Sequence, residues 1–234
     1  MHKVNSNLMK NFFKAAAWFG NLISDLLFPK QCIICGTILP LTQKLCICTK
    51  CEPDVKDMVS VCVDENTGCD EVISALNYRE NVRRSMLKFK FQDIKYLGYT
   101  FAKVLSQAVK GRSFVGDNTI VTAVPIHISK DREYNQSEVI ARELCKELGL
   151  NYTGGIIYKI KPIERLSGMA NHDKDFFIKE AFMINPIINL TGKTIIVVDD
   201  IFTTGTTLKT ISDQLKRYGA KHVYALTACY SKSQ

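Results

Sequence analysis

The stretch "IIVVDDIFTTGTT", residues 195–207, decides the fold and indicates where a site should lie. Its first four residues are apolar and β-branched, which is typical of a parallel strand buried on both faces. Two aspartates, Asp199 and Asp200, stand where that strand is expected to end. Ligands of parallel sheets bind beyond the carboxyl ends of the strands, so we expect a binding site at this point.

The threonine- and glycine-rich stretch after the aspartates is suited to an anion. It opens a predicted helix over residues 206–218, whose first backbone N–H groups lack intrahelical partners and lie at the positive end of the helix dipole. Gly205 lets the backbone approach a ligand closely, and the threonine hydroxyls add donors. This loop favours a phosphate, while carboxylates favour hydroxyls or a hydrated divalent cation. A sugar phosphate offers both kinds of group. The stretch is not a P-loop, because no Gly-Lys-Ser/Thr follows the glycine.

The remaining pattern alternates strands and helices. Strands are predicted at 72–78, 119–124, 155–160, 181–184 and 222–230, and helical patterns at 81–111, with a break near Gln92 and Asp93, and at 137–148. Ser137 is expected to cap the second of these helices and Gly149 to end it. Such alternation predicts an α/β fold with a parallel sheet flanked by helices.

Composition limits the class of protein. The 234 residues, 46% of them apolar, suffice for one α/β domain and a small appendage. The net charge of +8 favours anionic partners but is also common in ordinary soluble proteins. No run reaches the roughly 18 apolar residues of a membrane span. Residues 1–28 predict an amphipathic helix and not a secretory signal, so we expect a cytoplasmic protein.

Seven of the nine cysteines fall between residues 32 and 69. "CIIC" and "CTKC" supply two Cys-x-x-Cys pairs, which can place four thiolates around a structural zinc ion. The expected ligands are Cys32, Cys35, Cys48 and Cys51. Cys46 is an alternative to Cys48, and Cys62 and Cys69 could replace one of the pairs. We expect residues 29–70 to form a small zinc-knuckle module.

Two basic segments are candidates for contact with anions. The first leaves the strand at 119–124, on the face of the sheet that holds the aspartates, and could neutralise a diphosphate through Lys130, Arg132, Asn135 and Gln136. The second is the predicted helix "VRRSMLKFKF". Its cations, interleaved with phenylalanines, suit single-stranded nucleic acid or else an amphipathic helix with its aromatic residues in the core. These cations are Arg83, Arg84, Lys88 and Lys90.

Residues 195–207 resemble the ligand-binding motif of type I phosphoribosyltransferases, which recognise 5-phosphoribosyl-1-diphosphate with Mg²⁺. The resemblance implies that Asp199 and Asp200 contact the ribose 2′- and 3′-hydroxyls. It further implies that the 5′-phosphate is held by Thr203, Thr204, Gly205, Thr206 and Thr207. Residues 71–234 would then form a phosphoribosyltransferase-like domain.

A four-cysteine knuckle before such a domain is similar to the ComF family. "LLFPKQCIICG", "VRRSMLKFKF", "VPIHISKDREYNQSEVIARELC" and "SGMANHDKDFFIKEAF" resemble the family's characteristic stretches, although Glu133 and Lys174 depart from its usual residues. The resemblance implies a protein of DNA uptake and natural transformation that binds phosphoribosyl diphosphate, single-stranded DNA and the uptake machinery. The alternative is an active phosphoribosyltransferase, a glycosyltransferase acting on an unknown nucleobase or amine.

Overall fold

The computed structural model describes residues 29–62, 65–92, 94–126, 134–160 and 180–231. The amphipathic helix predicted for residues 1–28 lies outside these ranges, as do Lys130 and Arg132. Within the described residues, no helix is long and apolar enough to cross a membrane.

Five strands form one sheet in the order β1-β2-β7-β6-β3. Four of them are parallel to one another: β2 (Glu71–Asn77), β3 (Thr119–Ala123), β6 (Thr194–Phe202) and β7 (His222–Tyr230). The fifth, β1 (Ser60–Cys62), pairs antiparallel with β2 and was not predicted, because three residues are too few to show a period. Strands β4 (Ile157–Lys159) and β5 (Phe182–Ile184) pair separately.

Helices cover both faces of the large sheet. They are α1 (Glu80–Phe91), α2 (Tyr96–Val109), α3 (Gln136–Leu148) and α4 (Thr206–Arg217). Along β6, Ile196 and Val198 belong to the core shared with α1, α2 and α3, whereas Ile195 and Val197 belong to the core shared with α4. Neighbouring strand residues point to opposite faces, which is why the apolar run is continuous. The predicted fold class, an α/β sheet flanked by helices, is confirmed.

The structure corrects two predicted features that lie close to the aspartates. Strand β6 continues past the aspartates to Phe202, because Ile201 and Phe202 still pair with residues of β7. Helix α3 is capped by Asn135, whose side chain accepts from the Ser137 N–H, and not by Ser137. The predicted end of that helix at Gly149 is confirmed, with Gly149 left-handed at φ 68°.

The cysteine-rich module packs directly on the sheet domain. Its buried residues Cys32, Ile33, Cys46 and Ile47 belong to the same hydrophobic cluster as α1 and α2. The Cys46 backbone N–H also donates to Thr100 Oγ1 at 3.0 Å, which fixes the module against α2. The module therefore shares its core with the sheet domain and does not build one alone.

Candidate functional site

The loop between β6 and α4 is shaped for close approach of a ligand. Gly205 occupies the N-cap position of α4 with φ 77°, a conformation that non-glycine residues rarely adopt. A Cβ atom at this position would lie 2.9 Å from Thr67 Cγ2 and 3.2 Å from Phe202 Cε2. Gly205, as the N-cap residue, has no side chain that could cap the first turn of α4. The N–H groups of that turn therefore meet no capping side chain from the N-cap position.

The two aspartates have different surroundings. Asp199 lines the cleft together with Thr203, Thr204, Gly205 and Thr207, as well as Ile201, Phe202 and Leu208. Asp200 is buried, and its Oδ2 lies 2.7 Å from Lys90 Nζ. The alternation of side chains along β6 explains the difference. The cleft thus combines one carboxylate, several hydroxyls and a helix N-terminus, with the second carboxylate immediately beside it.

Burial raises the pKa of Asp199 to about 7, and the negative charge of Asp200 acts in the same direction. Hydrogen bonds from the Asp200 backbone N–H at 2.8 Å and from Ser137 Oγ at 3.0 Å oppose this rise. A carboxyl with a raised pKa, next to an anion-binding loop, is typical of a functional site.

The start of α3 joins three parts of the site. Asn135 Nδ2 donates to the carbonyl of Val124 at 2.9 Å, and Gln136 Nε2 donates to the carbonyl of Lys90 at 3.2 Å. Ser137, on the same turn, reaches Asp199. Through these hydrogen bonds, Asn135 and Gln136 connect the start of α3 to the chain after β3 and to the end of α1. Their predicted contact with a diphosphate, like that of Lys130 and Arg132, stays a prediction.

The structure separates the four cations predicted to bind nucleic acid. Arg83 and Arg84 are exposed on α1 and Lys88 is half-buried, whereas Lys90 lies in the ion pair with Asp200. The two phenylalanines also differ, because Phe89 is fully buried and Phe91 is 57% exposed. Lys90 therefore lies beside Asp199 and Asp200, a location that the spacing of residues on α1 did not predict.

Four cysteines meet in one cluster. The sulfur atoms of Cys32, Cys35, Cys48 and Cys51 all lie within 4.8 Å of one another, and Cys35 and Cys48 are 3.7 Å apart. Tetrahedral zinc with Zn–S bonds of about 2.3 Å needs sulfur atoms roughly 3.8 Å apart, so the cluster could hold a metal ion such as zinc.

The thiols of this cluster differ in acidity, and the geometry defines the ligand set. Hydrogen bonds with the Thr37 side chain and backbone lower the pKa of the Cys35 thiol to about 6, whereas burial and hydrogen bonds with the neighbouring cysteines raise the pKa of the Cys51 thiol. The alternative ligands Cys46, Cys62 and Cys69 lie outside the cluster. The expected ligand set is therefore the one that the fold brings together.

A basic, aromatic groove of about 790 Å³ was not anticipated from the sequence. It lies between the cysteine-rich module, the start of α2 and the outer face of α3. The Arg142 guanidinium stacks over Tyr152, 4.3 Å from the ring centre. The other lining residues include Lys44, Lys95, Tyr96, Tyr99 and Lys146. Because these residues come from three distant segments, no single window of sequence shows them as a group.

The phosphoribosyl transferase domain family matches residues 94–234, more than half of the chain. The chain is 25% identical to Competence protein F of Haemophilus influenzae over 168 residues, 69% of this chain and 73% of that protein. It is 23% identical to Competence protein ComFC of Streptococcus pneumoniae, covering 82% and 96% of the two chains. It is also 23% identical to DNA utilization protein YhgH of Salmonella typhimurium, covering 87% and 98%.

Proposed function

Because this chain belongs to the ComF family and carries a phosphoribosyl transferase domain over residues 94–234, we propose that it binds phosphoribosyl diphosphate with Mg²⁺ and acts on single-stranded DNA during DNA uptake. The observation that carries the first half is the cleft at the start of α4. The names of the relatives, which refer to competence and DNA utilization, support the second half. We place this activity in the cytoplasm, alongside the proteins of the uptake machinery.

The residues of the cleft fit a phosphorylated pentose. The first turn of α4 and the hydroxyls of Thr203, Thr204 and Thr207, which line the cleft, supply donors for the 5′-phosphate. The Thr206 side chain lines the neighbouring pocket with Lys209 and Asp213, so its proposed contact is through the backbone N–H. Asp199 lines the same cleft and Asp200 stands beside it, so carboxylates are available for the ribose hydroxyls. Gly205 keeps the backbone open, since any Cβ there would meet Thr67.

Magnesium fits the donor set of the site. Mg²⁺ prefers oxygen ligands and usually reaches proteins through one or two carboxylates, water and substrate phosphates. Asp199 and Asp200 are the carboxylates that would hold it, through water or directly. The ion would supply charge neutralisation for the diphosphate.

Zinc is the proposed occupant of the four-cysteine cluster. The four sulfur atoms match a closed structural site, which keeps no ligand position for substrate. Bound zinc would stabilise the cysteine-rich module, whose buried residues share one hydrophobic cluster with residues of α1 and α2. Its proposed role is therefore to hold the module against the helices of the sheet domain.

The proposed nucleic-acid surface is the exposed side of α1. Arg83 and Arg84 can attract phosphates, and the exposed ring of Phe91 can stack on a base. The groove next to the cysteine-rich module is a second candidate, because it is lined by Lys44, Lys95, Tyr96 and Tyr99. Arg142 there stacks on Tyr152 and pairs with Glu138, and a nucleic acid would compete for these contacts. Both surfaces suit a single strand more than a duplex, because aromatic stacking needs unpaired bases.

Ligand-induced stabilisation tests the pocket. Thermal unfolding is measured with and without phosphoribosyl diphosphate and Mg²⁺, for the native chain and for Asp199→Ala/Asp200→Ala. At a ligand concentration about 100 times Kd, native stability should rise by about 2.7 kcal/mol. The double variant should show little rise. Equal and negligible shifts in the two proteins would refute ligand binding at this site.

Salt-dependent binding tests the DNA surface. Affinity for a fluorescent single-stranded oligonucleotide is measured between 50 and 200 mM salt, as is usual for counterion release. We expect log Kd to change linearly with log salt, and Arg83→Ala/Arg84→Ala to lower the slope by about 1.4, at about 0.7 per phosphate contact. Arg142→Ala serves as a second, separate probe of the groove. A flat salt response in the native chain would refute a surface that follows phosphates.

Catalysis is the second candidate, and membership of the phosphoribosyl transferase domain family favours it. Displacement of diphosphate by an amine or nucleobase would depend on positioning and on neutralising the leaving group. Release of diphosphate from phosphoribosyl diphosphate is measured with a panel of nucleobases and amines. Acceptor-dependent release that Asp199→Ala abolishes would support an enzyme, and release equal to the background with every acceptor would favour binding alone.

A further inference from the structure

We propose that Lys90 is a positioning residue for the acidic pair, and that it makes the cleft select ligands with a ribose 2′-hydroxyl. The inference rests on the proposed function, because it assigns a role in binding a sugar phosphate. Its basis is an internal ion pair that joins helix α1 to strand β6. No feature of the helical pattern distinguishes Lys90 from the other cations of α1.

The ion pair is close and shielded. Lys90 Nζ lies 2.7 Å from Asp200 Oδ2, and the two side chains are only 16% and 11% exposed. A carboxylate this deeply placed is costly to leave without a counter-ion. Lys90 therefore provides that counter-ion and fixes the direction of the Asp200 oxygen atoms. A carboxylate has about four acceptor positions, so pairing with Lys90 does not by itself prevent Asp200 from accepting a hydrogen bond from a ligand hydroxyl.

Hydrogen bonds also hold the backbone at Lys90 and at the preceding residue, Phe89. Gln136 Nε2 donates to the Lys90 carbonyl at 3.2 Å, and the Tyr134 hydroxyl donates to the carbonyl of Phe89. Phe89 is fully buried, which anchors the last turn of α1 in the core. Because the next residue of α3, Ser137, bonds to Asp199, this segment links the Lys90 backbone to Asp199, while the Lys90 side chain reaches Asp200.

This framework makes the two aspartates act together. Asp199 receives a hydrogen bond from the backbone N–H of Asp200, so a shift of Asp200 would move its neighbour as well. Hydrogen bonds to a charged group are worth more than neutral ones, and loss of one such bond lowers affinity by about tenfold or more. Removing Lys90 should therefore weaken contacts to the ribose hydroxyls and leave the loop between β6 and α4, the proposed phosphate site, unchanged.

The test compares three ligands in titration calorimetry: ribose 5-phosphate, 2-deoxyribose 5-phosphate and inorganic phosphate. The native chain should bind ribose 5-phosphate about tenfold more tightly than its 2-deoxy analogue. In Lys90→Met this ratio should fall close to one, while the affinity for inorganic phosphate stays within about twofold. The matched control is Lys103→Met, which breaks a similar ion pair, Lys103 to Glu147 at 2.6 Å, on α2 and α3. That variant should keep the native ratio.

A second variant covers the case in which Lys90→Met does not fold. Lys90→Gln can still donate a hydrogen bond to Asp200 but carries no charge, and it should lose most of the ribose preference. A native ratio in either folded variant would overturn the role of Lys90 and leave the sugar-phosphate proposal standing. If the native chain bound neither sugar phosphate, the proposed function itself would fail, and the inference with it.

Discussion

Replacing Gly205 by alanine probes the loop between β6 and α4, the proposed phosphate site, through backbone geometry alone. Two costs add at this position. The left-handed conformation at φ 77° costs a residue with a Cβ about 1–2 kcal/mol. The new atom would also lie 2.9 Å from Thr67 Cγ2 and 3.2 Å from Phe202 Cε2, and overpacking of this kind costs about 1–3 kcal/mol. The expected loss is about 2–5 kcal/mol, and relief of the contact would displace the loop.

Gly149 provides the matched control. It is also left-handed, at φ 68°, but a Cβ there would meet nothing within 4 Å. Gly149→Ala should therefore show only the conformational cost of about 1–2 kcal/mol. Urea unfolding of both variants gives the two free energies, and the difference isolates the contact with Thr67 and Phe202.

The ligand response completes this test. Phosphoribosyl diphosphate with Mg²⁺ should stabilise Gly149→Ala as much as the native chain, and Gly205→Ala much less. The reasoning is refuted if the two variants have the same unfolding free energy and the same ligand-induced shift. That result would mean that the loop is neither tightly enclosed nor part of the binding site.

Three other predictions follow from packing, metal binding and charge. Gly98→Ala should destabilise the chain, because the new Cβ would lie 2.5 Å from Val139 Cγ1, and this overlap costs about 1–3 kcal/mol against a helix-propensity gain of about 1 kcal/mol. Adding Val139→Ala removes the overlap and should restore most of the unfolding free energy measured in urea. Cys35→Ser should lower bound zinc measured by elemental analysis, whereas Cys62→Ser, outside the cluster, should retain one equivalent. Because the pKa of Asp199 in the folded chain is raised from 3.8 to about 7, the folded chain keeps a proton there that the unfolded chain releases. The free energy of unfolding should therefore fall as the pH rises from about 4 to 7, and it should fall less in Asp199→Asn.

The parts of the fold that sequence predicts are those with a local signal. The apolar run before Asp199 identified β6, and Gly149 identified the end of α3. The paired Cys-x-x-Cys spacing likewise identified the sulfur cluster. In each case the residues that define the feature lie close together in the chain.

The parts that sequence does not predict depend on distant partners. Strand β6 passes the aspartates because Ile201 and Phe202 pair with β7, and nothing in their own pattern requires it. Cys46 lies outside the metal cluster, with its N–H bonded to Thr100 on α2. Lys90 meets Asp200 across 110 residues, so its spacing on α1 suggested a surface cation. Each of these outcomes depends on how helices pack on the sheet.

A crystal structure of the chain with phosphoribosyl diphosphate and Mg²⁺ tests the central claim most directly. We expect the 5′-phosphate within hydrogen-bonding distance of the backbone N–H groups of residues 204–207, and the ribose hydroxyls at the carboxylates of Asp199 and Asp200. A structure at saturating ligand in which this loop holds no phosphate and the ligand is bound elsewhere would contradict the account.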